Sequence, residues 1–160
     1  MSFNHFDAQG QAVMVDVSAK KKSLRIAIAE ATVRMQPQTL AAILEATVSK
    51  GDVLGVARLA GIGAAKKTPD LIPLSHPLAL HGITINFEPD PATGTVRVES
   101  RVKAYERTGV EMEAMVAASV AALTVYDMCK GADKGISIGE VSLLYKEGGK
   151  SGVYRRGDNR

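Results

Sequence analysis

The chain has 160 residues, of which 46% are hydrophobic, 23% are charged and 4% are aromatic, and its formal net charge is +3. This length suits one domain with its own core, and the scarcity of aromatic residues and modest positive charge argue against nucleic-acid binding. Cys129 is the one cysteine, which excludes an internal disulfide and suits a reducing compartment. Because no stretch resembles a signal peptide or a bilayer-spanning helix, we expect a cytoplasmic protein with no membrane partner.

The first part of the chain predicts two strands. Apolar and other residues alternate over residues 12–18, which is typical of a strand. Residues 23–35 predict a longer strand whose apolar residues change phase near residue 29, which indicates a bulge. The alanine content of this second segment leaves a helix as the alternative.

Two helices and a proline-rich turn are expected next. Pro37 favours a helix over residues 38–48, because proline is tolerated in the first turn. Asp52 is a suitable N-cap for a helix over residues 53–67, whose glycines and alanines predict very close packing against a neighbour. Residues 68–78 contain three prolines and predict a rigid, partly buried turn without regular structure.

The second half predicts a hairpin, a central helix and a last strand. Residues 82–88 and 95–105 alternate on either side of a turn, and residues 135–145 form the last apolar segment. The whole chain, residues 1–160, is therefore predicted to be one domain with flexible tails at residues 1–11 and 147–160. The order β-β-α-α-β-β-α-β predicts an α+β fold, a ferredoxin-like two-layer sandwich with helices on one face of an antiparallel or mixed sheet.

The central helix, residues 108–130, has an apolar middle and charged ends. Glu111 and Glu113 lie in its first turns, where carboxylates suit the helix dipole, and Asp127 and Lys130 are neighbours on one face near its end. Glu113 and Asp127 would be roughly 21 Å apart along the helix, so one compact pocket in one subunit cannot easily use both. Either the two ends do different work, or one subunit's helix start meets another's helix end. The simpler alternatives are solvated glutamates and a surface ion pair.

The sequence lacks a complete phosphate-binding motif and a metal-binding motif. The Gly149–Lys150–Ser151 run resembles the end of a P-loop, but that motif needs glycine where this chain has Leu144. The three histidines are isolated and there is one cysteine, so neither a metal site nor a bound cofactor is expected.

Lysines beside glycines remain as candidates for binding an anion, because an ammonium and nearby backbone N–H groups can meet one phosphate. These lysines are Lys50, Lys130, Lys146 and Lys150. The alternative is that lysine and glycine both belong to surface turns. His76 lies between two prolines and is held in one orientation, either as a ligand contact or as a structural histidine.

Five motifs together resemble the family of molybdenum cofactor biosynthesis protein C. The resemblance runs in order from about Met14 to Gly152. Its motifs are KGDV at 50–53, DLIPLSHPL at 70–78, TGVEMEA at 108–114, YDMCK at 126–130 and GGKSG at 148–152. Many family members have cysteine where this chain has Ser75, which argues against a thiol role at that position.

The resemblance implies a lyase of molybdopterin synthesis, cyclic pyranopterin monophosphate synthase activity, which converts cyclised dihydro-GTP to cyclic pyranopterin monophosphate and releases pyrophosphate. It implies a radical-SAM GTP cyclase upstream, and a ferredoxin-like fold assembled as a homohexamer, a trimer of dimers with sites between subunits. It assigns Asp127 as catalytic acid or base, with Lys50 and Lys130 as its cationic partners. The implied substrate contacts are Leu74, Ser75, His76, Met112 and Glu113.

Physical reasoning adds residues and alternatives to this assignment. A lysine near other cations and away from water would have a lowered pKa and could exchange protons near neutrality. Glu111 is included with the substrate contacts at the helix start, and Lys146 and Lys150 are interpreted as clamps for the triphosphate. The second candidate function is a nucleotide-binding sensor without catalysis, and the third is an RNA-binding module that uses the basic C-terminal segment.

Overall fold

The computed structural model of the chain describes residues 4–158. Residues 1–3 and 159–160, which belong to the two tails expected from the sequence, lie outside the described part.

A five-stranded antiparallel sheet in the order β2-β3-β1-β4-β5 forms one layer. Its strands are β1 (Ser23–Arg34), β2 (Leu80–Asp90), β3 (Thr95–Glu106), β4 (Ser137–Glu147) and β5 (Tyr154–Arg155). The helices are α1 (Pro37–Leu44), α2 (Val53–Lys66), α3 (Thr68–Leu71) and α4 (Glu111–Cys129). The two long helices pack on each other and on one face of the sheet, which confirms the predicted α+β two-layer class.

The central strand β1 keeps one phase along its whole length. Ala27, Ala29, Ala31 and Val33 are fully buried beneath the helices, and these small side chains allow close approach of α4. The predicted change of phase within β1 is wrong. Its register against β3 is continuous, whereas its register against β4 shifts twice, near Ala29 and before Thr32. The shifts arise because β4 contributes extra residues there, so the irregularity near residue 29 belongs to the partner strand.

The predicted first strand, residues 12–18, does not form. Only an isolated bridge between Phe6 and Ala12 is present in this region, and the side chains of Val13 and Met14 are exposed. Because β1 is hydrogen-bonded on both sides, by β3 and β4, the segment before it finds no free edge beside that strand. Alternation of residue types alone was insufficient to make a strand.

The predicted close packing of the second helix is confirmed. The Asp52 carboxylate accepts a hydrogen bond of 2.9 Å from the Gly55 backbone N–H and caps α2 as expected. A Cβ atom built on Gly61 would lie 2.9 Å from the Ala117 carbonyl oxygen of α4 and 2.2 Å from Ile85 Cδ1. Glycine therefore allows α2 and α4 to approach each other. The preceding helix, α1, is shorter than predicted and ends at Leu44.

Two segments are more regular than expected. The proline-rich turn contains the four-residue helix α3, in which proline occupies the first turn, where its missing N–H does no harm. Part of the C-terminal segment forms β5, which pairs with β4 through Tyr145 and Lys146, and Arg155 lies over the Tyr145 ring. Two residues of the expected C-terminal tail, Tyr154 and Arg155, therefore add a short strand to the edge of the sheet.

Helix α4 is the central element of the core. It packs on α2, β1 and β3, and Ala117, Ala118, Ala121 and Ala122 on it are fully buried. Its 19 residues, with a mean hydropathy of 1.3, also meet a length and composition criterion for crossing a membrane. Core helices of globular domains meet the same criterion, and the packing of α4 against the sheet places it in that class.

Candidate active site

The connection between α1 and α2 brings Lys50 to the C-terminal end of α4. Two residues in it have positive φ, Ala46 at 54° and Gly51 at 95°, so the chain turns sharply on both sides of Lys50. Lys50 Nζ donates a hydrogen bond of 2.8 Å to the carbonyl oxygen of Asp127. The last carbonyl groups of a helix have no partner within the helix, and a lysine from elsewhere in the chain satisfies this one.

The Asp127 side chain lies between two ammonium groups. Its Oδ1 is 2.7 Å from Lys130 Nζ, one turn further along, and its Oδ2 is 3.9 Å from Lys50 Nζ. All three side chains are about half exposed, at 57%, 51% and 46% respectively. The sequence-predicted catalytic residues thus form one open cluster with a net charge of +1.

The sequence led us to expect a lysine with a lowered pKa, and Lys130 in this cluster does not show one. The hydrogen bond from Lys130, with the charges of Lys130 and Lys50, lowers the pKa of Asp127. The hydrogen bond to Asp127 and its negative charge raise the pKa of Lys130. The expectation is wrong for Lys130 in this chain, because the ammonium is exposed and meets a carboxylate before it meets another cation. In this arrangement Asp127 is an anion that orients two cations.

A cavity of about 490 Å³ lies beside this cluster. It opens between α1, the connection that carries Lys50, and the turn after α4. Its lining includes Gln36, Thr39, Val48, Lys50, Cys129 and Gly131. Its volume is within the range of small-molecule sites, and a ligand in it would touch Lys50.

A second group of charged residues lies at the start of α4. The side chains of Glu111 and Lys146 form a partly buried ion pair, which joins the first turn of α4 to the end of β4. Met112, between the two glutamates, is 38% exposed. The acidic first turn therefore holds one lysine of the C-terminal region.

Glu113 is not a solvated partner of the helix dipole, as the simpler sequence interpretation had it. It is 2% exposed. Burial raises its pKa to about 7, and the neighbouring charge of Glu111 contributes in the same direction. A carboxyl group that titrates near neutrality can take up or release a proton under physiological conditions.

The loop with Leu74, Ser75 and His76 is partly buried and lies between α3 and β2. His76 Nε2 is 2.7 Å from the carbonyl oxygen of Val15. Because a carbonyl only accepts hydrogen bonds, Nε2 carries the proton and donates. His76 therefore orients the N-terminal segment. This hydrogen bond does not connect its ring to the charged residues at either end of α4. The contact with residue 15 was not foreseen from the sequence.

Arg25 is a further residue that the sequence interpretation passed over. It is 8% exposed, and its guanidinium donates hydrogen bonds to the carbonyl oxygens of Glu106 and Arg107, just before α4. A Cβ atom on Gly149 would lie 2.1 Å from Arg25 Nη1, so this turn rests directly on the guanidinium. The sequence feature that could have indicated its role is an arginine within a mostly apolar strand. Lys150, exposed in the same turn, lies next to this support.

The chain therefore carries two groups of candidate residues at opposite ends of α4. Lys50, Asp127 and Lys130 meet at its C-terminal end, and Glu111, Glu113 and Lys146 lie at its start. A helix of 19 residues is about 28 Å long, so the groups do not share a pocket within one chain. Within residues 4–158, no group of three His, Cys, Asp or Glu side chains could hold a metal ion.

Comparison with known proteins gives matches over the full chain. A relative from Geotalea uraniireducens (strain Rf4) is 71% identical over 160 residues and covers 100% of both chains. A relative from Geobacter metallireducens is 68% identical over 156 residues, 98% of each chain. One from Rhodospirillum rubrum is 55% identical over 150 residues, 94% of this chain and 90% of its own. All three are named cyclic pyranopterin monophosphate synthase.

The sequence model of the MoaC family matches residues 14–149, which include both groups of residues on α4 and the loop with His76. With this match and relatives of such high identity along the whole chain, the protein belongs to the MoaC family.

Proposed function

We propose that this chain is a cyclic pyranopterin monophosphate synthase, which converts cyclised dihydro-GTP to cyclic pyranopterin monophosphate and pyrophosphate. Its family and the names of its relatives support this activity. The structural observation that carries the proposal is the cluster of Lys50, Asp127 and Lys130 beside an open cavity. Two cations held by one carboxylate suit a substrate that carries a triphosphate.

The reaction makes two demands on this cluster. Rebuilding the rings moves protons between ring atoms, and closing the cyclic phosphate requires a substrate hydroxyl to attack the inner phosphorus while pyrophosphate leaves. The hydroxyl proton needs an acceptor, and the leaving pyrophosphate needs positive charge. Asp127 is the acid or base in this proposal, and Lys50 and Lys130 neutralise charge and position the substrate.

Pyrophosphate release is the direct test. Purified protein would receive cyclised dihydro-GTP, and the same assay would be run with Asp127→Ala and Lys50→Ala. We expect each variant to lose about 10²–10⁴-fold in kcat, the usual contribution of a positioned acid or base. Arg34→Ala is the matched control, because it removes a cation from an exposed ion pair with Glu140 on the sheet, and it should retain the wild-type rate.

Substrate binding with no release by the wild type would favour the second candidate, a nucleotide-binding sensor. The same residues, in the same positions, could bind a nucleotide without catalysis. Turnover of the substrate therefore distinguishes the enzyme from the sensor.

The separation of the two charged groups supports active sites between subunits, in the homohexamer that the family resemblance implies. In that arrangement Glu113 of one chain faces the Asp127 cluster of another. Mixing Glu113→Ala subunits with Asp127→Ala subunits tests it, because mixed assemblies would contain some intact sites. Recovery of activity in the mixture is expected, and no recovery in mixtures shown to have exchanged subunits would contradict the shared site.

Lys146 and Lys150 are proposed to hold the triphosphate. Lys146 already pairs with Glu111, so an incoming phosphate would have to compete with that carboxylate. We expect Lys146→Ala, Lys150→Ala to raise the substrate KM by about 10-fold or more, because charge-assisted bonds to phosphate are lost. An unchanged KM would remove both residues from the site.

Leu74, Ser75, His76 and Met112 are proposed to contact the substrate rings. Met112 lies in the first turn of α4, and the loop with the other three residues leads to Leu78 and Leu80, which pack with Val110 and Ala114 near that end of the helix. The proposal includes a cytoplasmic location and a radical-SAM cyclase that supplies the substrate. The buried free thiol of Cys129 is compatible with a reducing compartment.

A further inference from the structure

Asp133 lies in the turn that follows α4, three residues after Lys130. It is 3% exposed. The backbone N–H groups of Ala132 and Asp133 both donate to the Cys129 carbonyl oxygen, at 2.9 and 3.0 Å. The turn is thereby folded back on the end of α4, next to Lys130.

The Asp133 carboxylate bonds to a different part of the chain. Its Oδ2 accepts hydrogen bonds from the Gln36 backbone N–H at 2.9 Å and from Thr39 Oγ1 at 3.1 Å. Its Oδ1 accepts from the Gly135 N–H at 3.0 Å. Gln36, the residue before α1, makes no side-chain cap of its own. Gln36 is the N-cap residue of α1, so Asp133 fixes the N-terminal end of this helix from almost a hundred residues away in the sequence.

These contacts close a ring around the cavity beside the proposed catalytic cluster. From the N-terminal end of α1, which Asp133 holds, the chain runs through that helix to Lys50, which bonds the Asp127 carbonyl oxygen. Asp127 leads through Lys130 back to Asp133. Gln36, Thr39, Lys50 and Cys129 all line the cavity that the ring encloses. The ring has two non-covalent closures, one at Lys50 and one at Asp133.

We propose that Asp133 is a positioning residue for the reaction assigned above: by fixing α1 to the turn after α4, it sets Lys50 opposite the Asp127–Lys130 pair. The inference rests on the proposed function for its catalytic consequence. Its structural consequence, a cavity wall held by one carboxylate, is independent of the activity.

Cys129 provides a reporter for this arrangement. It is the one cysteine of the chain, it lines the cavity, and it is 2% exposed. Burial raises the pKa of its thiol, Asp133 raises it further, and Lys50 opposes both. The thiol thus senses both closures of the ring. If α1 separates from the turn, the thiol becomes accessible to a labelling reagent.

The experiment compares Asp133→Ala and Asp133→Asn with a control, Asp90→Ala. Asp90 also uses its carboxylate to hold a turn, through the Ala92 N–H at 3.0 Å and Thr93 Oγ1 at 2.8 Å, but between β2 and β3. For Asp133→Ala we expect kcat to fall about 10-fold, within the range for a misplaced catalytic group, while KM changes less than about 3-fold. Asp133→Asn keeps one acceptor oxygen and should recover part of kcat. Asp90→Ala should leave both constants unchanged.

Labelling of Cys129 in the folded protein is the second readout. We expect Asp133→Ala to react about 10-fold faster than wild type, because local opening now exposes the thiol, while Asp90→Ala reacts at the wild-type rate. Wild-type kcat together with wild-type labelling in Asp133→Ala would overturn the inference. A loss of kcat that only matches the loss of folded protein, measured by circular dichroism, would overturn it as well. If the wild-type protein releases no pyrophosphate, the proposed function fails, and the labelling rates still decide the role of Asp133.

Discussion

The two ends of α4 carry acidic residues in opposite electrostatic situations. At the C-terminal end, Asp127 is exposed, bonded to Lys130 and close to Lys50, and its pKa is lowered. At the start, Glu113 is buried, and its pKa is raised to about 7. The helix dipole by itself would favour the reverse, because it stabilises carboxylates at the start and destabilises them at the end. Burial and direct partners therefore outweigh the dipole here, and each end is suited to a different part of acid–base chemistry.

The largest expected effect comes from neutralising Asp127 without changing its shape. Asp127→Asn should reduce kcat for pyrophosphate release by about 10²–10⁴-fold, because the base and the anchor of two lysines are lost together. With Asp127 neutral, the pKa of Lys130 should fall toward its ordinary value, which a shift in the pH–rate profile would report. A variant with undiminished kcat would contradict the assignment of chemistry to this end.

The next effect concerns stability and belongs to Glu113. Its pKa is about 7 in the folded state and 4.5 in the reference state, so the folded state binds the proton more tightly. The free energy of unfolding should therefore fall as pH rises from about 4.5 to 7, by up to about 3 kcal/mol. Glu113→Gln should remove that decline and be more stable than wild type at pH 8, as measured by urea unfolding at pH 5 and 8.

The opposite result would also be informative. If the free energy of unfolding depends on pH in the same way for wild type and Glu113→Gln, Glu113 meets a cation in the assembled protein, supplied by another subunit. The difference between the two ends of α4 would then exist only in the isolated chain.

A substitution on α2, where that helix packs against the middle of α4, tests the close packing that lies between the two charged groups. Gly61→Ala would place a methyl group against Ile85 and the Ala117 backbone. We expect a loss of about 1–3 kcal/mol in the free energy of unfolding, typical of overpacking. Gly63→Ala is the control, because a Cβ there meets nothing within 4 Å, and it should be neutral or slightly stabilising as helix propensity predicts.

The smallest expected effect is on stability at the exposed end. Lys130→Met breaks the ion pair with Asp127, but exposed pairs contribute little to stability because water screens them. We expect a melting temperature within experimental error of wild type, alongside a large loss of kcat. A marked fall in melting temperature would mean that this cluster is structural, and the contrast with Glu113 would be lost.

Much of the fold could be predicted because it depends on residues close together in the chain. The Asp52 cap, the limits of α2, the hairpin of β2 and β3, and the Asp127–Lys130 contact all follow from spacing and local propensity. The wrong prediction for residues 12–18 had the same local support, yet a strand needs a partner, and β1, the next strand along the chain, is already paired on both sides.

The electrostatics of the candidate site were less accessible. Spacing placed Glu113 in the first turn of the central helix and allowed an exposed Asp127–Lys130 ion pair, but it did not indicate that Glu113 would be desolvated. The prediction of a lowered lysine pKa failed for Lys130 because its ammonium is exposed and pairs with Asp127. Asp133 was also missed, because it bonds the start of a helix that precedes it by almost a hundred residues.

By itself, the sequence determined the kinds of element, the family motifs and the charged ends of one long helix, since these depend on neighbours along the chain. Tertiary structure decided the single phase of β1, the burial of Glu113, the contact of Lys50 with the end of α4 and the bonds from Asp133 to the start of α1. Desolvation and hydrogen bonding between distant segments exist only once those segments pack together. The same helix therefore presents a buried acid at one end and an exposed, paired one at the other.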